Sequence, residues 1–222
     1  GIYNRYHYQT IDHFFLQFRR YKQLNIWDQF IKAVVGSAFK INGKGKKRLT
    51  EKTGTNNADF SADFTYFINN YSSATTPPNY TLHKALSGKK VKDIKNNDAL
   101  LSMLKNYTIS PKEFSTITIN GNALNMYTIK PKDFDASKQY PLLMYQYSGP
   151  GSQNVSNSWL GANDYWHQLL ASEGYIIACV DGRGTGFKGR DFKKVTQYEL
   201  GKFEVEDQIA AAKKLSELPY ID

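Results

Sequence analysis

The chain has 222 residues, of which 29 are Lys or Arg and 20 are Asp or Glu, giving a formal net charge of +9. Aromatic residues form 14% of it, which favours a packed core and argues against disorder. No apolar run of about 18 residues occurs, so the sequence predicts no membrane span. The lysines concentrate in two turn-like segments and no recognition motif accompanies them, so we predict no nucleic-acid partner. Cys179, the sole cysteine, cannot form an internal disulfide.

Residues 1–36 remain unassigned. They are dense in aromatic and basic side chains and are compatible with amphipathic helices or with irregular strands. A basic amphipathic helix can lie on a membrane, although packing against its own domain is the favoured interpretation. His7 and His13 provide too few ligands for a metal site, and no cofactor is predicted.

From residue 37 the sequence predicts β-hairpins. The segments "AFKINGKGKKRLT" and "NYTLHKALSGKKVKDI" each read as strand, Gly-rich turn and strand. Their Gly-Lys-Lys triplets lie about 43 residues apart, within the period of a β-propeller blade. Between them, Phe64, Tyr66 and Ile68 alternate and are predicted to share one face of a strand. His83 is predicted to pack within its strand or to face water.

A helix is predicted over residues 96–107, with leucines at helical spacing and Asp98 as its N-cap. The segments "FSTITIN" and "ALNMYTIKP" then predict a hairpin that turns at Gly-Asn, residues 121–122. Next, the apolar strands "YPLLMYQY" and "YIIACVD" alternate with the helical segments "NDYWHQLLASEG" and "FEVEDQIAAAKKLSEL". This order predicts a parallel sheet that helices cover on both faces.

Smaller features of these helices are also predicted. Asn163 or Asp164 is expected to cap the first helix, and Gly174 to end it. His167 lies inside this helix and is predicted to be a surface histidine rather than a catalytic one.

Gly184, Gly186 and Gly189 have the spacing G-x-G-x-x-G, which raises the question of a dinucleotide site. In a dinucleotide fingerprint the strand runs directly into the first glycine and a helix opens near the third. Here residues 181–183 intervene, and a convincing helix begins only near residue 203. The segment is therefore predicted to be a long loop after a strand, shaped by Asp181, with Arg183 pairing with Glu204 or Glu206.

Three blocks together resemble the dipeptidyl peptidase IV branch of the prolyl oligopeptidase family of serine peptidases. They are "YPLLMYQYSGPGSQ", "YIIACVDGRGTGFKGRDF" and "LGKFEVEDQIAAAKKL", and the resemblance extends from about residue 37 to the end. It implies a mixed fold, with terminal β-propeller blade strands in residues 37–106. The N-terminal half of a truncated α/β-hydrolase domain would follow in residues 107–222.

The resemblance implies a serine exopeptidase that releases N-terminal dipeptides after Pro or Ala, with a peptide as its substrate. Tyr147 aligns with the family's tyrosine that donates its hydroxyl to the oxyanion. Without the resemblance, a tyrosine of a core strand is the favoured interpretation. Periplasmic or secreted localisation is implied by resemblance only, and a homodimer of the full-length protein stays open.

The catalytic triad of an α/β-hydrolase begins at a G-x-S-x-G turn, which the 222 residues do not contain. The triad is therefore expected beyond residue 222, and the chain is expected to be a fragment that is inactive alone. Two alternatives remain. One is another prolyl oligopeptidase relative, such as an acylaminoacyl peptidase or an esterase, and the other is a non-catalytic propeller binding module.

Overall fold

The computed structural model describes residues 37–38, 47–50, 52–159 and 164–222. The unassigned residues 1–36, with His7 and His13, lie outside the described residues. The fold is mixed and rich in sheet, with helices concentrated in its second half. Within the described part of the chain, no helix combines the length and hydropathy needed to cross a membrane.

The first half forms antiparallel sheet. Strands β1 and β2, of two residues each, pair in antiparallel orientation, and a four-stranded sheet follows in the order β3-β4-β5-β6. The bounds are β1 Ser37–Ala38, β2 Lys47–Arg48, β3 Thr55–Phe60, β4 Tyr66–Ser73, β5 Thr76–Lys84 and β6 Lys90–Lys95. The hairpin of β5 with β6 is therefore confirmed, and so is the pairing of β1 with β2, whose predicted turn lies outside the described residues.

The buried face of the four-stranded sheet differs from the predicted aromatic stripe. Tyr66 and Ile68 do share one face of β4, but that face is exposed, and Phe64 lies in the preceding turn with φ 55°. Phe67, one position out of phase, is 1% exposed and lies in the core of this sheet. His83 stacks on it with ring centroids 4.9 Å apart, which confirms the packed interpretation of this histidine.

A short helix, α1 Asp98–Leu104, connects the two halves, as predicted. Its N-cap is Asn97 rather than Asp98, and no side-chain cap hydrogen bond forms. The Asn97 amide instead donates to the carbonyl oxygen of Pro78 in β5. That contact fixes the start of the helix to the sheet, so Asp98 becomes the first helical residue.

The second half contains a mixed sheet in the order β7-β8-β10-β9, with a helix on each face. The bounds are β7 Lys112–Ile119, β8 Asn122–Ile129, β9 Leu142–Tyr145, α2 Asp164–Ser172, β10 Ile176–Asp181, α3 Arg190–Lys194 and α4 Lys202–Ser216. Only β9 and β10 are parallel, so the predicted parallel sheet is confirmed for that pair alone. Among the named strands, β9 pairs only with β10 and thus lies at an edge.

The turn between β7 and β8 is shifted by one residue from the prediction. It consists of Asn120 and Gly121, with φ of 49° and 75°, instead of Gly-Asn. Positive φ at both central positions of a two-residue hairpin is the reason that Asn-Gly is favoured there.

The prediction that His167 is a surface histidine is wrong. Its side chain is fully buried, with the rings of Tyr145 and Trp166 4.9 and 5.6 Å from its own ring. It lies on the face of α2 that packs on the sheet, together with Ala171 four residues later. Asp164, one of the two predicted caps, is the first residue of the helix, and Gly174 follows its end with φ 91°.

Leu124→Ala should lower the free energy of unfolding by about 2–5 kcal/mol, because it leaves a cavity in a fully buried position. Leu86→Ala removes the same atoms from a side chain that is 69% exposed. This substitution should change the free energy of unfolding by less than about 0.5 kcal/mol. Urea denaturation of the purified variants measures both. Equal losses would contradict the described core.

Candidate functional site

Two loops meet beyond the carboxyl ends of the parallel strands β9 and β10. We call residues 146–159 the tyrosine loop and residues 182–189 the glycine loop. The Gly151 N–H donates to the Gly184 carbonyl oxygen at 2.9 Å, and the Gly186 N–H donates to the Ser152 carbonyl oxygen at 2.8 Å. In open α/β sheets, ligands bind at such carboxyl ends of strands, so this junction is the candidate site.

Asp181, the last residue of β10, binds the tyrosine loop. Its two carboxylate oxygens accept hydrogen bonds from the backbone N–H groups of Asn154 and Val155, both at 3.0 Å. Burial raises the pKa of this carboxyl group, while the two N–H donors act in the opposite direction. Because each oxygen accepts one bond, the geometry suits the ionised form. Asp181 was predicted to shape the loop that follows it, but these contacts hold the neighbouring tyrosine loop instead.

Arg183 binds α4 through two carboxylates. Its guanidinium contacts Glu206 at 3.1 Å, as one of the two sequence-based alternatives predicted. Its closer partner is Asp207, which is fully buried and accepts from the guanidinium at 2.7 Å and from the Arg183 backbone N–H at 2.7 Å. Glu204, the other predicted partner, instead accepts from the N–H of Gly201 at the start of α4.

Three successive backbone donors of the glycine loop are already used within the protein. The N–H of Gly184 donates to Phe192, that of Thr185 to Gly182, and that of Gly186 to the tyrosine loop. A phosphate-binding glycine loop needs such N–H groups free to face the ligand. The geometry therefore argues against a dinucleotide site.

The glycine spacing has a packing explanation. Gly184 has φ 91°, and a Cβ atom at Gly186 would lie 3.1 Å from the carbonyl oxygen of Gly151. The structure also contains α3 immediately after Gly189, a five-residue helix that the sequence interpretation missed.

Tyr147 lies in the tyrosine loop, two residues beyond the end of β9, and is 72% exposed. Its ring lies against Gly149, where a Cβ atom would come within 2.5 Å of the ring. Ser148 between them is buried and has φ 54°. The phenol is therefore outside the packed core, which contradicts the alternative of a core strand tyrosine. An exposed phenol can donate a hydrogen bond to a ligand.

The far part of the tyrosine loop contacts the four-stranded sheet. The Asn157 side-chain oxygen accepts from the N–H of Ala74 at 2.8 Å, and its carbonyl oxygen accepts from the Thr55 hydroxyl at 3.0 Å. The N–H of Trp159 donates to the Ser72 hydroxyl at 3.3 Å. The loop that carries Tyr147 is thus hydrogen-bonded to both sheets.

A cavity of about 670 Å³ lies beside α1, with Lys112, Trp159 and Gln168 in its wall. Trp159, the last residue of the tyrosine loop, lines this cavity, but neither Tyr147 nor the glycine loop does. We therefore assign it no part in the candidate site.

Sequence reasoning missed several residues that hold the site. None of the predictions pointed to Asp207, Ser148, Asn157 or Gln208. Three acidic residues within the four positions 204–207 were a usable signal, because one of them can face a basic residue of a neighbouring loop. The contacts of Asn157 depend on the relative position of two sheets, for which the sequence contains no local signal.

Comparison with known proteins identifies similar chains. Residues 163–222 match the model of the prolyl oligopeptidase family. The chain is 35% identical over 187 residues to a probable dipeptidyl-aminopeptidase B of Aspergillus terreus, and 35% identical over 185 residues to that of Podospora anserina. In each case the match covers 82% of this chain and 20% of the relative.

A solved structure is also similar. The crystal structure of Porphyromonas gingivalis dipeptidyl peptidase 4 superposes with a TM-score of 0.82 at 43% sequence identity. The superposition covers 88% of this chain and 27% of that structure. The chain thus spans about a fifth of the length of the curated relatives and about a quarter of that structure.

Arg183 should be coupled more strongly to Asp207 than to Glu206. In a double-mutant cycle, Arg183→Met with Asp207→Asn should give a coupling energy of about 1.5–3 kcal/mol, because the pair is charged and one partner is fully buried. The matched cycle with Glu206→Gln should give less than about 1 kcal/mol, because Glu206 is 46% exposed. Denaturation of all variants measures both, and the opposite ranking would refute the assignment.

Proposed function

Because the chain belongs to the dipeptidyl peptidase IV branch of the prolyl oligopeptidase family, we propose that it is part of a serine exopeptidase. This enzyme would remove dipeptides from the N-terminus of peptides after a penultimate Pro or Ala. The observation that carries the proposal is the position of Tyr147, exposed on a hydrogen-bonded loop beyond the carboxyl end of β9.

The proposed architecture assigns residues 37–106 to the last part of a β-propeller and residues 107–222 to the first half of an α/β-hydrolase domain. In support, β3 to β6 form an antiparallel sheet of four strands, the number in a propeller blade. In the second sheet, β9 is the third strand in chain order and lies at the edge. In an α/β-hydrolase, the strand that leads to the nucleophile pairs with the free edge of this third strand.

In the proposed reaction, a serine hydroxyl attacks the carbonyl carbon of the scissile bond and its oxygen becomes negatively charged. The Tyr147 hydroxyl would donate a hydrogen bond to this oxyanion. A donor contributes most when it is already aimed at the developing charge, since no reorganisation is then needed during the reaction. Two hydrogen bonds that the tyrosine loop donates to Asp181, and one that its Asn157 accepts from Ala74, support such a fixed position.

The serine and its base are proposed to come from a part of the full-length enzyme outside these 222 residues. The sequence contains no G-x-S-x-G turn, and Ser152, within Pro-Gly-Ser-Gln, does not form one. The Ser152 hydroxyl instead donates to the carbonyl oxygen of Gly149 at 2.7 Å. Its role is therefore to close the turn that follows Tyr147.

In the full-length enzyme, Tyr147→Phe should lower the acylation rate at least tenfold, because one oxyanion donor typically contributes about 10²–10³ in rate. Only the hydroxyl is removed and the side chain is exposed, so thermal stability should not change. Stopped-flow kinetics with a glycyl-prolyl ester measure the step, and Tyr198→Phe, at a tyrosine that is 95% exposed, is the control. Unchanged acylation would refute the oxyanion role.

The purified 222-residue chain should hydrolyse no glycyl-prolyl anilide, because it lacks the turn that presents the nucleophile. A fluorogenic assay at micromolar protein measures this, with the full-length enzyme as the positive control. Turnover that co-purifies with the chain and is blocked by a serine-directed phosphonate would contradict the proposal.

A further inference from the structure

Gln208, on the side of α4 that faces the sheet, contacts both β10 and the tyrosine loop. Its amide nitrogen donates to the carbonyl oxygen of Val180 in β10 at 2.8 Å and to the hydroxyl of Ser148 at 3.0 Å. Since a carbonyl oxygen can only accept, the Val180 contact fixes which end of the amide points at the tyrosine loop.

This orientation leaves the other end of the amide unsatisfied. The side-chain oxygen of Gln208 is buried and has no hydrogen-bond partner among the described residues. Such a group typically costs about 1–3 kcal/mol, so the amide is a poor choice for stability alone. What the amide contributes is its two N–H hydrogen bonds, and one of them is made to Ser148, the residue that follows Tyr147.

Ser148 has an unusual backbone conformation. Its φ of 54° is in the left-handed region, which glycine adopts readily and serine does not. Because Ser148 directly follows Tyr147, its backbone dihedrals determine how the chain leaves the tyrosine. A hydrogen bond that holds the Ser148 side chain therefore restricts the position of the phenol.

We propose that Gln208 is a positioning residue, which holds Ser148 in the left-handed conformation and so keeps the Tyr147 hydroxyl aimed at the oxyanion. The inference rests on the proposed oxyanion role of Tyr147. Helix α4 would then hold both loops, since Gln208 contacts the tyrosine loop and the adjacent Asp207 binds the glycine loop through Arg183.

Gln208→Met in the full-length enzyme tests the inference, because it keeps the length of the side chain and removes both N–H donors. The acylation rate should fall about tenfold while KM changes less than about twofold, as expected for a displaced catalytic group. Added to Tyr147→Phe, the same substitution should cause no further loss. Ser148→Ala, which keeps the Val180 contact, should reproduce the loss.

Gln168→Met is the matched control. Gln168 is a buried glutamine of α2, and its amide is hydrogen-bonded to the backbone N–H and carbonyl of Ser110 instead of to Ser148. This substitution should lower the melting temperature and leave acylation within about twofold of the unmodified enzyme. A tenfold loss in the control would overturn the assignment, because any buried glutamine would then have the same effect.

The outcomes separate the two proposals. If Tyr147→Phe lowers acylation but Gln208→Met adds its full loss to that variant, the oxyanion role stands and the positioning role is overturned. If Tyr147→Phe has no effect, the proposed function itself fails. Should Gln208→Met not fold, Ser148→Ala decides alone, and a folded variant with unchanged acylation overturns the positioning role.

Discussion

Two buried carboxylates, Asp181 and Asp207, hold the loops on which the candidate site depends. Each sits next to the glycine loop, and each accepts backbone N–H groups, Asp181 from residues 154 and 155 and Asp207 from Arg183. Burying a carboxylate is costly unless hydrogen bonds compensate for the lost water. Because Asp181 lies in β10 and Asp207 in α4, the conformations of the two loops depend on how this strand and this helix pack.

The consequence is an exposed phenol on an otherwise fixed loop. Tyr147 faces solvent, while the residues after it are hydrogen-bonded to β10, to the glycine loop and to the four-stranded sheet. Catalytic donors act best when the surrounding structure holds them in place before the substrate arrives. The contact of Asn157 with Ala74 further implies that the first sheet contributes to the position of a loop belonging to the second.

The sequence predicted the elements better than their contacts. Strong patterns gave the hairpins, the buried strand β10 and the helix α4, because periodicity and turn chemistry are local. The failures were His167 and the face of β4; for Arg183 the predicted contact with Glu206 is confirmed, but its closer partner Asp207 was missed. Each depends on which side of an element meets its neighbour; in a strand such as β4, a shift of one residue reverses that side. Tyr147 itself was identified only through the family resemblance, since one tyrosine after an apolar strand has no distinguishing local pattern.

The position of the Tyr147 hydroxyl in an enzyme trapped with a tetrahedral adduct tests the account most directly. We would determine the crystal structure of the full-length enzyme with a prolyl boronate bound to its serine. We expect the phenolic oxygen to lie about 2.7–3.1 Å from the adduct oxygen that mimics the oxyanion. A hydroxyl turned away from that oxygen, with the tyrosine loop hydrogen-bonded as described, would contradict the assignment of Tyr147 and the function proposed from it.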